Sequence, residues 1–291
     1  MSQPEVIEVR TRDGINIHTE LWRPAGEAKL VVVIVHGGAE HVGRYQRLAD
    51  ELTAMGAIVL GPDHRGQGRS GGAPGHVESF EQYADDLLAV LRQHAERLGE
   101  AGSPSKLPWF LWGHSMGGLI SLTYLLDHQR DFPLRGALIS APLLGLTMKV
   151  GALKRFAVLG VAKLLPKLKV PTGIPPEYIC RDPAEVERYR NDPRRVTTVT
   201  PRWAVAMEDA MARVAREAGR IELPMHWYLG TGDKIVDPEV TQQVFATLTQ
   251  AKARDQSITV WPGYYHELHN EPDSLREPVM AAAREWIRAR A

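Results

Sequence analysis

Residues 110–120 read FLWGHSMGGLI, an apolar run, a serine between glycine-flanked positions, and a second apolar run. Trp109–Trp112 has the composition of a buried strand, and Met116–His128 carries the spacing of a helix, so Ser115 falls on the turn between them. Gly113-His114-Ser115-Met116-Gly117 is G-x-S-x-G in the context that motif requires, strand before and helix after. Such a turn predicts a strained backbone at the serine, so that Oγ projects alone at the sheet edge. The glycines two before and two after let neighbouring backbone pass close by. The helix that follows aims its first N–H groups at the point where negative charge would develop.

Outward from that turn, Leu30–Val35 (LVVVIV), Ala57–Leu60, Gly136–Ser140, Met225–Leu229 and Ser257–Trp261 are short apolar runs that predict strands. Between them, Gly43–Met55, Phe80–Leu98, Pro238–Leu248 and about Ser274 to Arg290 carry helical spacing. Glu5–Arg10 and Ile15–Trp22 alternate around Asp13-Gly14 and predict a hairpin. The alternation predicts an α/β class chain, a mostly parallel central sheet flanked by helices. From Ala141 to about Pro201 the rhythm breaks into a stretch rich in Leu, Lys, Val and Pro. The expected organisation is therefore one core, residues 1–140 and 202–291, with residues 141–201 inserted as a helical cap.

Charge is balanced, 35 basic residues against 35 acidic, which argues against nucleic acid as partner. The single cysteine, Cys180, permits no intrachain disulfide, and a buried structural role is expected for it. The opening MSQPEVIEVRTRDG lacks the profile of a signal peptide, and no run is long enough to span a bilayer, so a cytoplasmic enzyme is expected. His64 near Asp63, and His266 with His269, lack a third ligand at zinc spacing; Asp63 and Arg65 are expected to pin a loop instead. The glycines of GQGRSGG lack a P-loop's terminal Lys-Ser/Thr. Neither metal nor cofactor is expected.

A serine needs a base, and usually an acid to orient it. Of the histidines after Ser115, His128 lies on the helix leaving the turn and His226 opens a strand before any acid has appeared. His266 and His269 both follow the last strand; His266 is nearer the strand end and is the expected base, with His269 as alternative or as a hydrogen-bonded surface residue. Asp233 sits on the turn directly after MHWYLG and is the expected acid, while Asp237, before Pro238, reads as a helix N-cap. An oxyanion hole would use the N–H of Met116 and that of Gly38, in the loop after Leu30–Val35.

HGGAEHVGRY, DHRGQGRS, GHSMGG, GTGDKIVDP and YYHELHNE, in that order from residue 36 to 271, together resemble the monoacylglycerol lipase and lysophospholipase branch of the α/β-hydrolase fold. YICRDPAEVERYRNDP at 178–193 resembles the same branch. The resemblance implies Ser115, Asp233 and His266 as catalytic triad, Gly38 and Met116 as oxyanion donors, and a helical cap over the site. It implies hydrolysis of monoacylglycerols or lysophospholipids through an acyl-enzyme. A short-chain carboxylesterase or an acyltransferase would use the same triad, and a non-catalytic binding protein would be expected to have lost one of its members.

Between Phe132 and Pro176 there are seven basic residues, Arg135, Lys149, Lys154, Arg155, Lys163, Lys167 and Lys169, and no acidic one. Apolar residues fill the gaps, so residues within 143–180 are expected to line an acyl pocket and to offer a basic, amphipathic face to a membrane surface. The expected partner is a small lipid ester; no protein partner is implied.

Overall fold

The computed structural model describes residues 3–147, 160–250 and 255–291. Its centre is the LVVVIV run, strand β3 (Leu30–Val35), with every residue buried. Successive side chains of a strand point to opposite faces. Val31, Val33 and Val35 accordingly join one apolar cluster and Leu30, Val32 and Ile34 the other. A strand covered on both faces belongs in the interior of a parallel sheet, and β3 lies between β4 (Ala57–Pro62) and β5 (Trp109–His114), parallel to both.

Eight strands run in the order β1-β2-β4-β3-β5-β6-β9-β10. β1 (Glu5–Arg10) and β2 (Asn16–Trp22) form the expected hairpin, and β2 pairs antiparallel with β4. β6 (Gly136–Ser140), β9 (Met225–Gly230) and β10 (Gln256–Trp261) continue the parallel half. On one face pack α2 (Glu81–Gly102) and α3 (Met116–His128), on the other α1 (Gln46–Ala54) and α7 (Asp273–Arg288). α6 (Pro238–Gln250) is capped by Asp237, whose Oδ1 accepts from Glu239 N at 2.9 Å.

β6 pairs directly with β9, Ala137 beside Met225, so the chain between them leaves the sheet and returns to it. Within that stretch, β7 (Val170–Pro171) pairs antiparallel with β8 (Thr198–Val199), and α4 (Pro183–Asn191) is capped by Asp182. Cys180 is buried here, its thiol pushed up to about 12 by burial. α5 (Pro201–Glu217) has no counterpart in the sequence reading. Its signals are nonetheless present: Thr200 as N-cap, Pro201 in the first turn, and Trp203, Ala206, Met207, Ala210 and Val214 on one buried stripe beside α3.

Arg135 departs from expectation. It precedes β6, at the strand end opposite to the one where the insertion leaves, and donates to Arg290 O at 2.8 Å. It therefore does not belong to the basic face expected of the inserted segment, and Lys149, Lys154 and Arg155 lie outside the described residues.

Candidate active site

Ser115 stands between β5 and α3 with φ 54° and ψ −119°, left-handed backbone that a residue bearing a Cβ adopts only under strain. Surrounding bonds hold it there: its N–H donates to Ser140 O at 2.9 Å, and its carbonyl accepts from Leu143 N at 2.9 Å. The flanking glycines are required by space. A Cβ at Gly117 would lie 1.9 Å from Val35 O, and one at Gly113 2.5 Å from Ser121 Oγ.

The loops after β9 and β10 bring two more groups to this turn. Ser115 Oγ–H donates to His266 Nε2 at 2.8 Å, and His266 Nδ1–H donates to Asp233 Oδ2 at 2.6 Å. Asp233 Oδ1 accepts from Ile235 N and Val236 N at 2.8 and 2.9 Å, so the carboxylate is immobilised from both oxygens. All three side chains are buried. Burial is the largest influence on His266 and disfavours its charge. The Asp233 carboxylate, aided by Glu267 and Glu40, outweighs it and holds the pKa above the ordinary 6.5.

Gly38 and Met116 both line the cavity over Ser115. Met116 opens α3, so its N–H has no partner within the helix. The peptide before Gly38 is oriented by His36. His36 Nε2 accepts from His64 N at 3.0 Å, which leaves the ring proton on Nδ1, donated to Gly37 O at 2.7 Å. Because a trans peptide is planar with its C=O and N–H opposed, the Gly38 N–H is turned away from that ring. Burial drives the His36 pKa down to about 3, so the ring stays neutral. The need for glycine falls on Gly37, where a Cβ would meet Glu40 Oε1 at 2.6 Å and Ser115 Cβ at 3.2 Å. At Gly38 a Cβ would make only ordinary contact with Met116.

Below the loop lies a buried charge cluster that sequence reasoning missed. Glu40 accepts from Gly37 N at 2.5 Å and from Tyr45 OH at 2.8 Å, and pairs with Arg44. Arg44 also forks onto Glu267 at 2.7 and 2.8 Å, linking the loop that carries Gly38 to the residue beside His266. Burial opposes the charge on Glu267, yet Arg44 holds its pKa down to about 2. Glu40 and Arg44 at i, i+4 could have suggested a pair; the partner 223 residues away could not. His41 Nε2–H donates to Asp192 at 2.6 Å and Arg195 to Ala39 O at 3.3 Å, tying the insertion to the same loop.

The other candidates sit elsewhere. His128 bridges Asp85 and Asp131 at the surface, and His226 Nδ1 meets Ser257 Oγ at 2.7 Å within the sheet. His269 is not the hydrogen-bonded surface residue of the alternative reading. It is buried, stacks on Tyr45 with centroids 5.0 Å apart, and neither ring nitrogen has a partner among the described residues. Asp63 does pin loops, accepting from Val42 N at 2.8 Å and Arg69 N at 2.7 Å, and Arg65 clasps Asp86 and Asp13.

The cavity above Ser115 encloses about 280 Å³. Leu143, Leu146, Ile174, Tyr178 and Ile179 line it from within 143–180; Tyr189, Val199, Trp203 and Met207 line it from beyond that range.

The chain is similar to known proteins along most of its length. A family model described as serine aminopeptidase, S33, matches residues 26–273. The chain is 33% identical over 267 residues to phospholipase YtpA of Bacillus subtilis, covering 90% of this chain and 96% of that protein. It is 29% identical over 279 residues to monoglyceride lipase of Mus musculus, covering 94% and 88%. Among solved structures, a monoacylglycerol lipase of Paleococcus ferrophilus superposes with a TM-score of 0.79 at 29% identity, covering 94% of this chain and 99% of that one. With a match that spans most of its length and a mostly parallel eight-stranded sheet flanked by helices, the chain belongs to the serine aminopeptidase S33 family of hydrolases and has the α/β-hydrolase fold.

Proposed function

We propose that the protein is a serine hydrolase of fatty-acyl esters, acting on monoacylglycerols or lysophospholipids through an acyl-enzyme on Ser115. The observation that carries this reading is the unbroken hydrogen-bonded line Ser115–His266–Asp233 opening into an apolar cavity. In the first step His266 Nε2 takes the Ser115 proton as Oγ attacks the ester carbonyl, and Asp233 stabilises the imidazolium that results. The N–H groups of Gly38 and Met116 receive the oxyanion. His266 passes the proton to the departing alcohol, then takes one from the water that releases the fatty acid.

Residues 141–201 serve in this reading as a cap whose apolar side receives the acyl chain. Its outer side supports transient contact with a lipid surface: Leu164, Leu165, Leu168 and Val170 are exposed among Lys163, Lys167 and Lys169. Among the described residues no helix is long and apolar enough to cross a membrane. The similarity to phospholipase YtpA and monoglyceride lipase supports ester substrates. An aminopeptidase would need a free carboxylate for the peptide's ammonium. The two that line the cavity among the described residues, Glu40 and Glu267, are both paired with Arg44.

The test is hydrolysis of p-nitrophenyl esters from two to sixteen carbons, together with monolauroylglycerol, by the parent and Ser115→Ala. Activity that peaks at medium or long chains, extends to the glyceride and drops by roughly four or more orders of magnitude in the variant is expected. Confinement to the shortest esters would make this a general carboxylesterase, and activity surviving in Ser115→Ala would end the proposed mechanism.

A further inference from the structure

Among the described residues that line the cavity, three carry charge: Glu40, Glu267 and Lys234. The two carboxylates are buried and share Arg44 as their ion-pair partner. Lys234 differs. No carboxylate of the described residues lies within ion-pair distance of it, yet its ammonium is held in place. Nζ donates to Tyr265 OH at 2.9 Å, stands 4.3 Å from the centre of the Tyr265 ring, and is 5.3 Å from that of Tyr178, itself a cavity residue. The residue's backbone is rigid as well, because Asp233 Oδ1 closes the turn onto Ile235 N and Val236 N. An ammonium has three N–H donors and Tyr265 takes one, which leaves two for a ligand.

The surroundings sharpen the contrast. Leu146, Ile174 and Ile179 are apolar, and Arg181, the nearest other cation on the Tyr265 ring at 5.4 Å, is committed to the fully buried Glu271. The ammonium, braced by two rings and next to Asp233, faces no carboxylate of the described residues. Lys234 is exposed while lining the cavity, which suits it to an anionic oxygen on the part of the substrate left at the solvent side, since a charge-assisted bond to phosphate is about twice as strong as a neutral one.

We infer that Lys234, braced by Tyr178 and Tyr265, is a specificity-determining residue that recognises an anionic phosphate group on the ester, and so favours acidic lysophospholipids over neutral monoacylglycerols. This inference rests on the ester-hydrolase reading above. The phosphate would belong to the substrate being cleaved; free phosphate is the other source of the same chemistry.

The experiment compares 1-octanoyl lysophosphatidylglycerol with 1-octanoylglycerol, both below their critical micelle concentrations, using the full chain, Lys234→Met and Lys106→Met. Lys106 precedes β5, at the end of the sheet opposite the site, and its loss changes net charge equally. The ratio of kcat/KM, anionic over neutral ester, is expected to fall about fivefold or more in Lys234→Met and to hold in Lys106→Met. Inorganic phosphate is expected to compete with the anionic ester at millimolar levels only weakly. Competition by phosphate as tight as the ester's own KM would overturn substrate-borne recognition in favour of a free-anion site. An unchanged ratio in Lys234→Met, or an equal fall in Lys106→Met, would overturn the inference while leaving the hydrolase reading intact. Failure of the parent chain on both esters would overturn that reading first, and this one with it.

Discussion

His266 is governed by two opposed influences, burial that disfavours its charge and the Asp233 carboxylate that favours it, and the carboxylate side wins. In the proposed mechanism His266 must be neutral to accept the Ser115 proton, so kcat/KM is expected to fall as pH drops through a value above 6.5. Asp233→Asn removes the charge that raises this pKa and leaves burial unopposed. The acid limb of the pH profile is then expected to move to lower pH, while the maximal rate drops roughly 10⁴-fold as the ring loses its orienting partner. A limb that stays in place would mean that Asp233 does not set the protonation of His266. The meeting of Ser115, Asp233 and His266 was legible because each lies in the turn or loop that follows a readable strand, and parallel strands deliver their following loops to one edge. His269 was not legible, since its burial depends on Tyr45 and His114 arriving from other parts of the chain. The same holds for His36, whose role comes from the backbone of His64.

At the scale of elements, the turn from β5 into α3 is fixed by contact with the neighbouring strand end as much as by its own residues. Gly117 packs against the carbonyls of Val35 and His36, and backbone cannot yield as a flexible side chain can. Gly117→Ala is therefore expected to cost about 3 kcal/mol or more, read as a drop in urea midpoint. Gly38→Ala, whose Cβ would make only ordinary contact with Met116, is expected to stay within about 0.5 kcal/mol of the parent. Equal midpoints for the two variants would show that the close approach is relieved by a backbone shift. The motif G-x-S-x-G announced this element, and strict apolar runs announced the strands. α5 passed unread although capped and amphipathic, because it follows the inserted stretch where strand and helix periodicity had already been lost.

For the molecule as a whole, the parallel sheet draws histidines into apolar surroundings and keeps them neutral. Burial takes His36 and His269 down to about 3, His94 and His226 to about 4, and His64 and His114 well below 6.5. A ring with a depressed pKa takes up its proton on unfolding, so each favours the unfolded chain as pH falls below about 6.5. The loss is about 2 kcal/mol per ring by pH 5. His18 and His266, with raised pKa values, act in the opposite sense but are fewer. Against a total stability of about 5–15 kcal/mol, cooperative acid unfolding is expected between about pH 4 and 6, followed by circular dichroism. Retention of the folded signal at pH 4 would mean that these rings remain accessible to protons in the native state.

The amino-acid sequence by itself determined the fold class, the strand–turn–helix at Ser115, and the order in which Ser115, Asp233 and His266 arrive, because these depend on local periodicity and on residues near strand ends. Tertiary structure alone decided the strand order, with β3 between β4 and β5 although β4 follows it in the chain. It also decided the Glu40–Arg44–Glu267 cluster, the brace of Tyr178 and Tyr265 around Lys234, and the cavity wall from α5. Each joins residues far apart in sequence, and such contacts follow from how the packed faces meet, which no local pattern encodes.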